Sequence, residues 1–590
     1  MSTIRRGSRW PLVCAVATGL VVLLISGCGR TESQLVIELV NLADGGRLHT
    51  RLIVGEVMGP PVAEGEPVMA VSAGYAFDGG TVFVTLPDAG NWTIPVPTNA
   101  AFRVGSEHSL TVQVTDSEDR QKETTWAFTV GENRDFNGDG FRDLFTAEWQ
   151  YSLETGRVYV IFGSESGFSD ADVSVDGWDV RFTGTSSGEQ LGYGVAVSDY
   201  NGDGYADIAM TQNTNNSNTG VVYVHHGGTG WAGMSLGAGD GPDSLMTGEG
   251  TNQYLGYGIV SGDIDGDGYD DLIPTAHKYN SDTNLGRAYV LYGTAAGVAG
   301  STLSVVTDDA AGWISGENAS DEFGLLGATG DFDGDGYAEV ALCSYGYTGD
   351  SPAPVVGNGR VYIFGGSALG LAGLVSGDDV TAVDAALATI TGAGATDGLS
   401  GTFSGDFDGD GYDDLGVRAS GVDSSTGRLY LFYGSAAGIA TIDLASDDAD
   451  AWISGESAGD YFGVGRSGDV NGDGYDDIVA SAPYNSTNAG RVYVFYGSSS
   501  RFSGAYAATQ ADATINGDPV DEERLTAGLV GDLNGDGYAD IVCGTNPVAG
   551  SAEVRIVYGS AAGVENIDFQ TDSADATLTG FTSAISIRTW

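Results

Sequence analysis

Residues 406–415 read DFDGDGYDDL. Carboxylates stand at alternate positions, Asp406, Asp408 and Asp410, followed by Gly411, Tyr412 and the pair Asp413 and Asp414. Oxygen donors at every second position, then a glycine for a sharp turn, suit a loop that wraps a hard cation such as Ca2+. An EF-hand would need a bidentate Glu at position 12 and a helix on each side. Counting from Asp406, position 12 is Val417, and the next carboxylate falls at position 9, Asp414. The residues that follow, LGVRAS, form a short apolar run that reads as a strand. The stretch is therefore a nine-residue loop, D-x-D-x-D-G-Y-x-D, leading into a β-strand.

The same loop occurs seven times, beginning at residues 135, 199, 263, 331, 406, 469 and 532. Positions 1, 3, 5 and 9 supply side-chain oxygens, and position 7 takes the place that gives a backbone carbonyl in an EF-hand. The candidate calcium ligands are Asp135, Asn137, Asp139, Phe141 and Asp143; Asp199, Asn201, Asp203, Tyr205 and Asp207; Asp263, Asp265, Asp267, Tyr269 and Asp271; Asp331, Asp333, Asp335, Tyr337 and Glu339. The last three loops add Asp406, Asp408, Asp410, Tyr412 and Asp414; Asp469, Asn471, Asp473, Tyr475 and Asp477; Asp532, Asn534, Asp536, Tyr538 and Asp540. Asp and Gly also make plain turns. Acids or Asn at 1, 3, 5 and 9 with Gly at 6, seven times over, match a ligand set instead, so about seven structural Ca2+ ions are expected.

Repeats at this period point to propellers, solenoids or arrays. Each unit carries the same parts. A Gly-rich apolar stretch such as LGYGVAVS precedes the loop, a short strand such as DIVA follows it, and an alternating segment such as GRVYVFYGS comes next. A further strand, as in AWISGE, ends the unit. Four strands per unit make one propeller blade, and seven blades lie within the usual range. The expected fold is all-β: a seven-bladed β-propeller over residues 132–590, preceded by an Ig-like β-sandwich over 35–131. That sandwich is read from TVFVTL, NWTIPV, HSLTVQVTD and TTWAFTV, short alternating strands between turn signals; their order is similar to the last strands of bacterial Ig-like domains.

The FG…G segment followed by D-x-[DN]-G-D-G-Y-x-D resembles the FG-GAP repeat of the integrin α-subunit propeller. All seven units here carry the loop, whereas integrin propellers carry it on some blades, so bacterial FG-GAP proteins are the closer likeness. The resemblance implies a loop joining the first and second strands of each blade, and a role in cell-surface adhesion or protein–protein interaction.

The N-terminus supports an extracytoplasmic setting. Arg5, Arg6 and Arg9 precede an apolar run from Pro11 to Ile25, the pattern of a signal peptide (residues 1–27). Ile25-Ser26-Gly27-Cys28 resembles a bacterial lipobox, which implies acylation of Cys28 and a short tether over residues 28–34. Gly29 in place of Asp implies, by the same likeness, an outer-membrane lipoprotein. A formal charge of −56 argues against nucleic acid as a partner. Cys343 and Cys543 fall in blades that are not neighbours and read as buried thiols.

Signs of an enzyme do not accumulate. GESAG at 455–459 matches a nucleophile-elbow pattern, but its internal counterpart, GENAS, has Asn318 where Ser457 stands, and no helix follows. The five histidines form no metal-binding array, and His225 and His226 read as strand-edge or surface residues. An Arg recurs at the start of the third strand in five units (Arg157, Arg287, Arg360, Arg428, Arg491), which reads as a repeated structural salt bridge. The loops between second and third strands vary and hold Trp149, Tyr151, His277, Tyr279, Tyr345, Tyr347, Tyr484 and Asn485. Variable loops on a rigid scaffold are where binding concentrates, and their rings could stack on sugars, anchor a protein, or pack between blades. The expected function is a calcium-binding, lipid-anchored surface propeller acting in adhesion or protein–protein interaction. Glycan binding stands second and hydrolysis third. Blade 1 begins with its acidic loop directly after WAFTV, which the Ig-like region takes as its last strand, so the C-terminal segment, about Ala584–Thr589, is expected to supply the missing first strand and close the ring.

Overall fold

The computed structural model describes residues 134–585 apart from 240, 281–282, 299–302, 305–311, 348–356, 372–373, 375–378, 395, 521, 548–550 and 584, and, ahead of these, strands between residues 36 and 130. The expected signal peptide, Cys28, the tether and residues 586–590 lie outside the described residues.

The chain is an all-β seven-bladed propeller. Blade 6 shows the plan. Its strands are Val464–Gly468, Asp477–Ala482, Arg491–Phe495 and Ala513–Asn516, each antiparallel to the next. The acidic loop joins the first strand to the second. The second strand is buried at every residue, and four of the five residues of the third are buried. Alternating sequences such as RVYVF would leave one face wet in an open sheet. Here each blade is packed on both faces by its neighbours, so the polar face is lost as well.

One strand per blade had no sequence signal. A segment of two to four residues from the following blade lies parallel to each outer strand. In blade 6 it is Ile567–Asp568, paired with Ile515–Asn516. These additions cover edges that would otherwise present unpaired backbone groups. The same pairing links the two ends of the ring: Ala171–Asp172 of blade 1 lies parallel to Leu578–Thr579 of blade 7. Apolar contacts cross that seam, with Leu144, Tyr159, Val542, Leu578 and Phe581 in one buried cluster.

Blade 1 contributes Leu144–Ala147, Arg157–Ile161 and Val180–Thr183. No described strand lies inside Leu144–Ala147. Trp126–Val130 does not fill that place, because Gln121–Val130 pairs with Glu107–Thr115 and Gly46–Leu48. The end of the described chain does reach blade 1. The Thr582 amide and hydroxyl donate to Glu148 Oε1 at 2.5 and 2.7 Å, and Ile585 is buried in the cluster that holds Leu144.

Ahead of the propeller, the described strands form one three-stranded and one five-stranded sheet. Cys343 and Cys543 are free and buried. His225 departs from the strand-edge expectation: it is buried at 5 % exposure, tilted against Phe182, with Nε2 3.2 Å from the Ala238 carbonyl. Its strand, Val221–His225, is buried throughout.

Candidate metal centres

Each acidic loop is bent by its own side chains. In the first loop the Asp135 carboxylate accepts from the amides of Gly138 and Gly140, both at 2.6 Å. Asn137 Oδ1 accepts from the Asp139 amide, and Asp139 Oδ1 from the Phe141 amide. The fifth loop repeats this with Asp406, Asp408 and Asp410. Positions 1, 3 and 5 therefore curl the backbone so that their remaining oxygens converge. In four loops three carboxylates offer oxygens within 4.8 Å of one another: Asp135, Asp139 and Asp143; Asp263, Asp265 and Asp271; Asp331, Asp333 and Glu339; Asp406, Asp408 and Asp414.

Position 9 does something the sequence did not reveal. In all seven loops its carboxylate accepts two backbone amides, one from position 2 and one from the glycine that ends the third strand. Asp477, for example, accepts from Val470 at 2.9 Å and Gly497 at 2.8 Å. The residue thus ties the loop to two strands of its blade.

Position 7 is a packing residue across blades. A Cβ placed on Gly202 (φ +67) would lie 2.6 Å from Tyr269 of the next loop, and the same relation holds from loop to loop around the ring. The seventh step closes it: Gly535 (φ +72) faces Phe141 of the first loop at 2.8 Å. Backbone bonds follow the same path, such as the Ala206 amide to the Asp135 carbonyl at 2.9 Å and Asp476 to Asp406 at 2.9 Å.

The donor set fits a hard divalent cation. All side-chain donors are oxygens, which suit Ca2+. Burial pushes the carboxyls up: Asp207 and Asp271 to about 9, Asp414, Asp477 and Asp540 to about 8, with neighbouring acids adding to the effect. Asp143 is raised as well, first by burial and also by Asp135. Asp263 Oδ1 is buried with no hydrogen-bond partner, and its carboxyl is pushed up to about 8 by burial and by Asp270. Crowded carboxylates in this state call for a cation to hold them ionised.

On the rim holding the loops between second and third strands, four of the five recurring arginines make the expected bridges, while Arg157 Nη1 donates to the Tyr159 hydroxyl at 3.3 Å. Arg287, Arg360 and Arg491 reach Glu249, Glu317 and Glu456 at 2.9 to 3.0 Å, and Arg428 reaches Asp423. Arg555 with Glu523 extends the pattern to blade 7. Several aromatics proposed for ligands serve these arginines: Tyr151, Tyr279 and Tyr347 lie under Arg157, Arg287 and Arg360 at 3.5, 3.6 and 3.8 Å. His277 is buried against Tyr257 at 3.9 Å, Trp149 meets Tyr193, and Asn485 is buried and donates to Asp460. Tyr345 is 43 % exposed, and Tyr484 and Tyr461 are each 40 % exposed; the last two are in contact. Ser457 sits in an exposed turn, its amide donating to Asp460.

The fold and its acidic loops define a seven-bladed propeller similar to FG-GAP-repeat proteins. The FG-GAP repeat model matches residues 191–225, 255–291, 323–364, 465–495 and 525–553. The chain is 29 % identical over 264 residues to integrin alpha-PS2 of Drosophila melanogaster, covering 40 % of this chain and 17 % of that protein. It is 30 % identical over 135 residues to human integrin alpha-7, 21 % of this chain and 11 % of the relative. It is 31 % identical over 160 residues to the bovine phosphatidylinositol-glycan-specific phospholipase D, 25 % of this chain and 18 % of the relative. The matches thus span less than a fifth of each relative's length. No helix among the described residues is long and apolar enough to cross a membrane.

Proposed function

We propose that this chain is a calcium-stabilised propeller that engages a protein partner at the cell surface, carried on an Ig-like domain and a lipid anchor at Cys28. The observation that carries it is the sevenfold acidic loop in a ring with five segments that match the FG-GAP repeat and a stretch similar to integrin alpha-PS2. The candidate ligands would hold Ca2+ through carboxylate and amide oxygens. The ion would supply positive charge that keeps the buried carboxylates ionised and the loops curled. Calcium is structural here, and the partner binds elsewhere, on the rim of variable loops. Capture of a partner by the full-length protein in calcium, lost in EGTA and restored by recalcification, tests this reading. Capture that is indifferent to calcium would oppose the structural role.

A glycan ligand is the second reading, favoured by the exposed Tyr461–Tyr484 pair with centroids 5.3 Å apart. Base-like stacking of sugars on such rings needs no charge on the ligand. Glycan-array binding abolished by Tyr484→Ala would support it. For the anchor, Cys28→Ser should prevent acylation, read by mass spectrometry of the N-terminal peptide; an unmodified Cys28 in the wild type would rule it out.

A further inference from the structure

The turn after the third strand is nearly constant from blade to blade. Five blades place a glycine with positive φ there: Gly167, Gly297, Gly370, Gly438 and Gly563. Blade 6 reads GSSSRF at 497–502 and puts Arg501 in that place. The turn lies beside the acidic loop of the preceding blade, since a Cβ on Gly438 would face Asp333 Cβ, position 3 of the fourth loop, at 3.8 Å. A long cation at this point has one natural target.

Arg501 reaches it. Its Nε contacts Asp408 Oδ2, and its Nη2 donates to Asp410 Oδ2 at 2.5 Å. Asp408 and Asp410 are positions 3 and 5 of the fifth loop. The guanidinium also lies 4.6 Å from the Tyr433 ring of blade 5, and the Tyr433 hydroxyl donates to the Phe502 carbonyl at 3.2 Å. Of the seven position-3 side chains, all described, only Asp408 is buried; its side chain is 2 % exposed beneath Arg501. Loops three and four also carry four acids, so the acid count alone did not require an arginine.

We propose that Arg501 is a resident counter-cation for the fifth loop: it occupies two of the carboxylates that calcium would use, so calcium must displace it, and the fifth loop is a weaker, regulatory calcium site among structural ones. The proposal rests on the calcium reading above. By reciprocity, whatever Arg501 costs calcium in affinity, calcium costs the Arg501 contact between blades 5 and 6. Rising calcium would then free this guanidinium, at an acidic rim, to meet solvent or a partner's carboxylate.

The test is calcium binding to the purified full-length chain by equilibrium dialysis with radiocalcium. The wild type should show one site weaker than the rest. Arg501→Gly, which restores the residue of five other blades, should tighten that site by about tenfold. Adding Asp406→Ala should delete the same site from both backgrounds. If Arg501→Gly melts below the wild type, Arg501→Ala serves instead. Superimposable isotherms for wild type and variant would overturn the counter-cation while leaving structural calcium standing. No binding in either protein would overturn the calcium reading and the counter-cation with it.

Discussion

At the residue scale the position-9 carboxylates hold the most information. Their identity as acids was legible in the sequence; their service to two backbone amides was not, because the second donor comes about twenty residues later, from the end of another strand. Asp540→Ala would leave the Leu533 and Gly559 amides buried and unpaired. A loss on the order of 3 kcal/mol is expected, since each orphaned buried donor costs about 1–3 kcal/mol, read by chemical denaturation in EGTA. The same carboxyls set a pH dependence. Their folded-state pKa values, about 8 to 9 for Asp207, Asp271, Asp477 and Asp540, lie above the unfolded value of about 4. The folded state therefore binds protons more tightly. The stability these carboxyls contribute without metal is fully present below about pH 4 and is lost as pH rises through 8 to 9. In EGTA the melting temperature should fall from pH 5 to pH 9, and saturating calcium should flatten that slope. A metal-free protein that gains stability over this range would contradict the assignment.

Elements show why some features were readable and others were not. Strands and loops follow local patterns, so four strands per unit and the loop between the first and second could be read from repeats. The parallel fifth strand spans only two to four residues and borrows its pairing from the next blade, so no local pattern marks it. The arginine bridges were half legible: Arg recurs visibly, while its partners Glu249, Glu317 and Glu456 stand in the segments ending the fourth strand, whose role as anchors shows only in three dimensions. Several rim aromatics looked available for ligands, but Tyr151, Tyr279 and Tyr347 are spent beneath those arginines. The position-4 glycines give a sharp prediction. Gly472 has φ +72, and a Cβ there would lie 2.5 Å from Tyr538. Gly472→Ala should cost on the order of 2–3 kcal/mol, combining a left-handed non-glycine backbone with overpacking. Combining it with Tyr538→Ala should remove part of that cost, so the two changes should be non-additive in a double-mutant cycle. Strict additivity would mean the rings do not meet there.

For the whole molecule the question is how seven blades act as one. Loop-to-loop packing runs round the ring and returns from Gly535 to Phe141, and the outer seam is sealed by Ala171–Asp172 against Leu578–Thr579. The closing strand expected at about Ala584–Thr589 lies outside the described residues apart from Ile585. The contacts of Thr582 with Glu148 and of Phe581 with Tyr159 bring the described end of the chain to blade 1. Phe581→Ala should cost about 3–5 kcal/mol, as for other fully buried Phe residues, and should lower the single melting transition of the propeller rather than unfold one blade. A separate low-temperature transition would mean that the seam is not coupled to the ring. The role proposed for calcium is to hold this ring together. Its most direct measurement is thermal unfolding of the full-length protein at fixed pH in EGTA and in increasing Ca2+. Each linked site adds about 2.7 kcal/mol at one hundred times its Kd. The propeller transition should climb steadily with calcium and return to its starting value on chelation; superimposable melts in EGTA and in millimolar calcium would contradict a structural role for the ion.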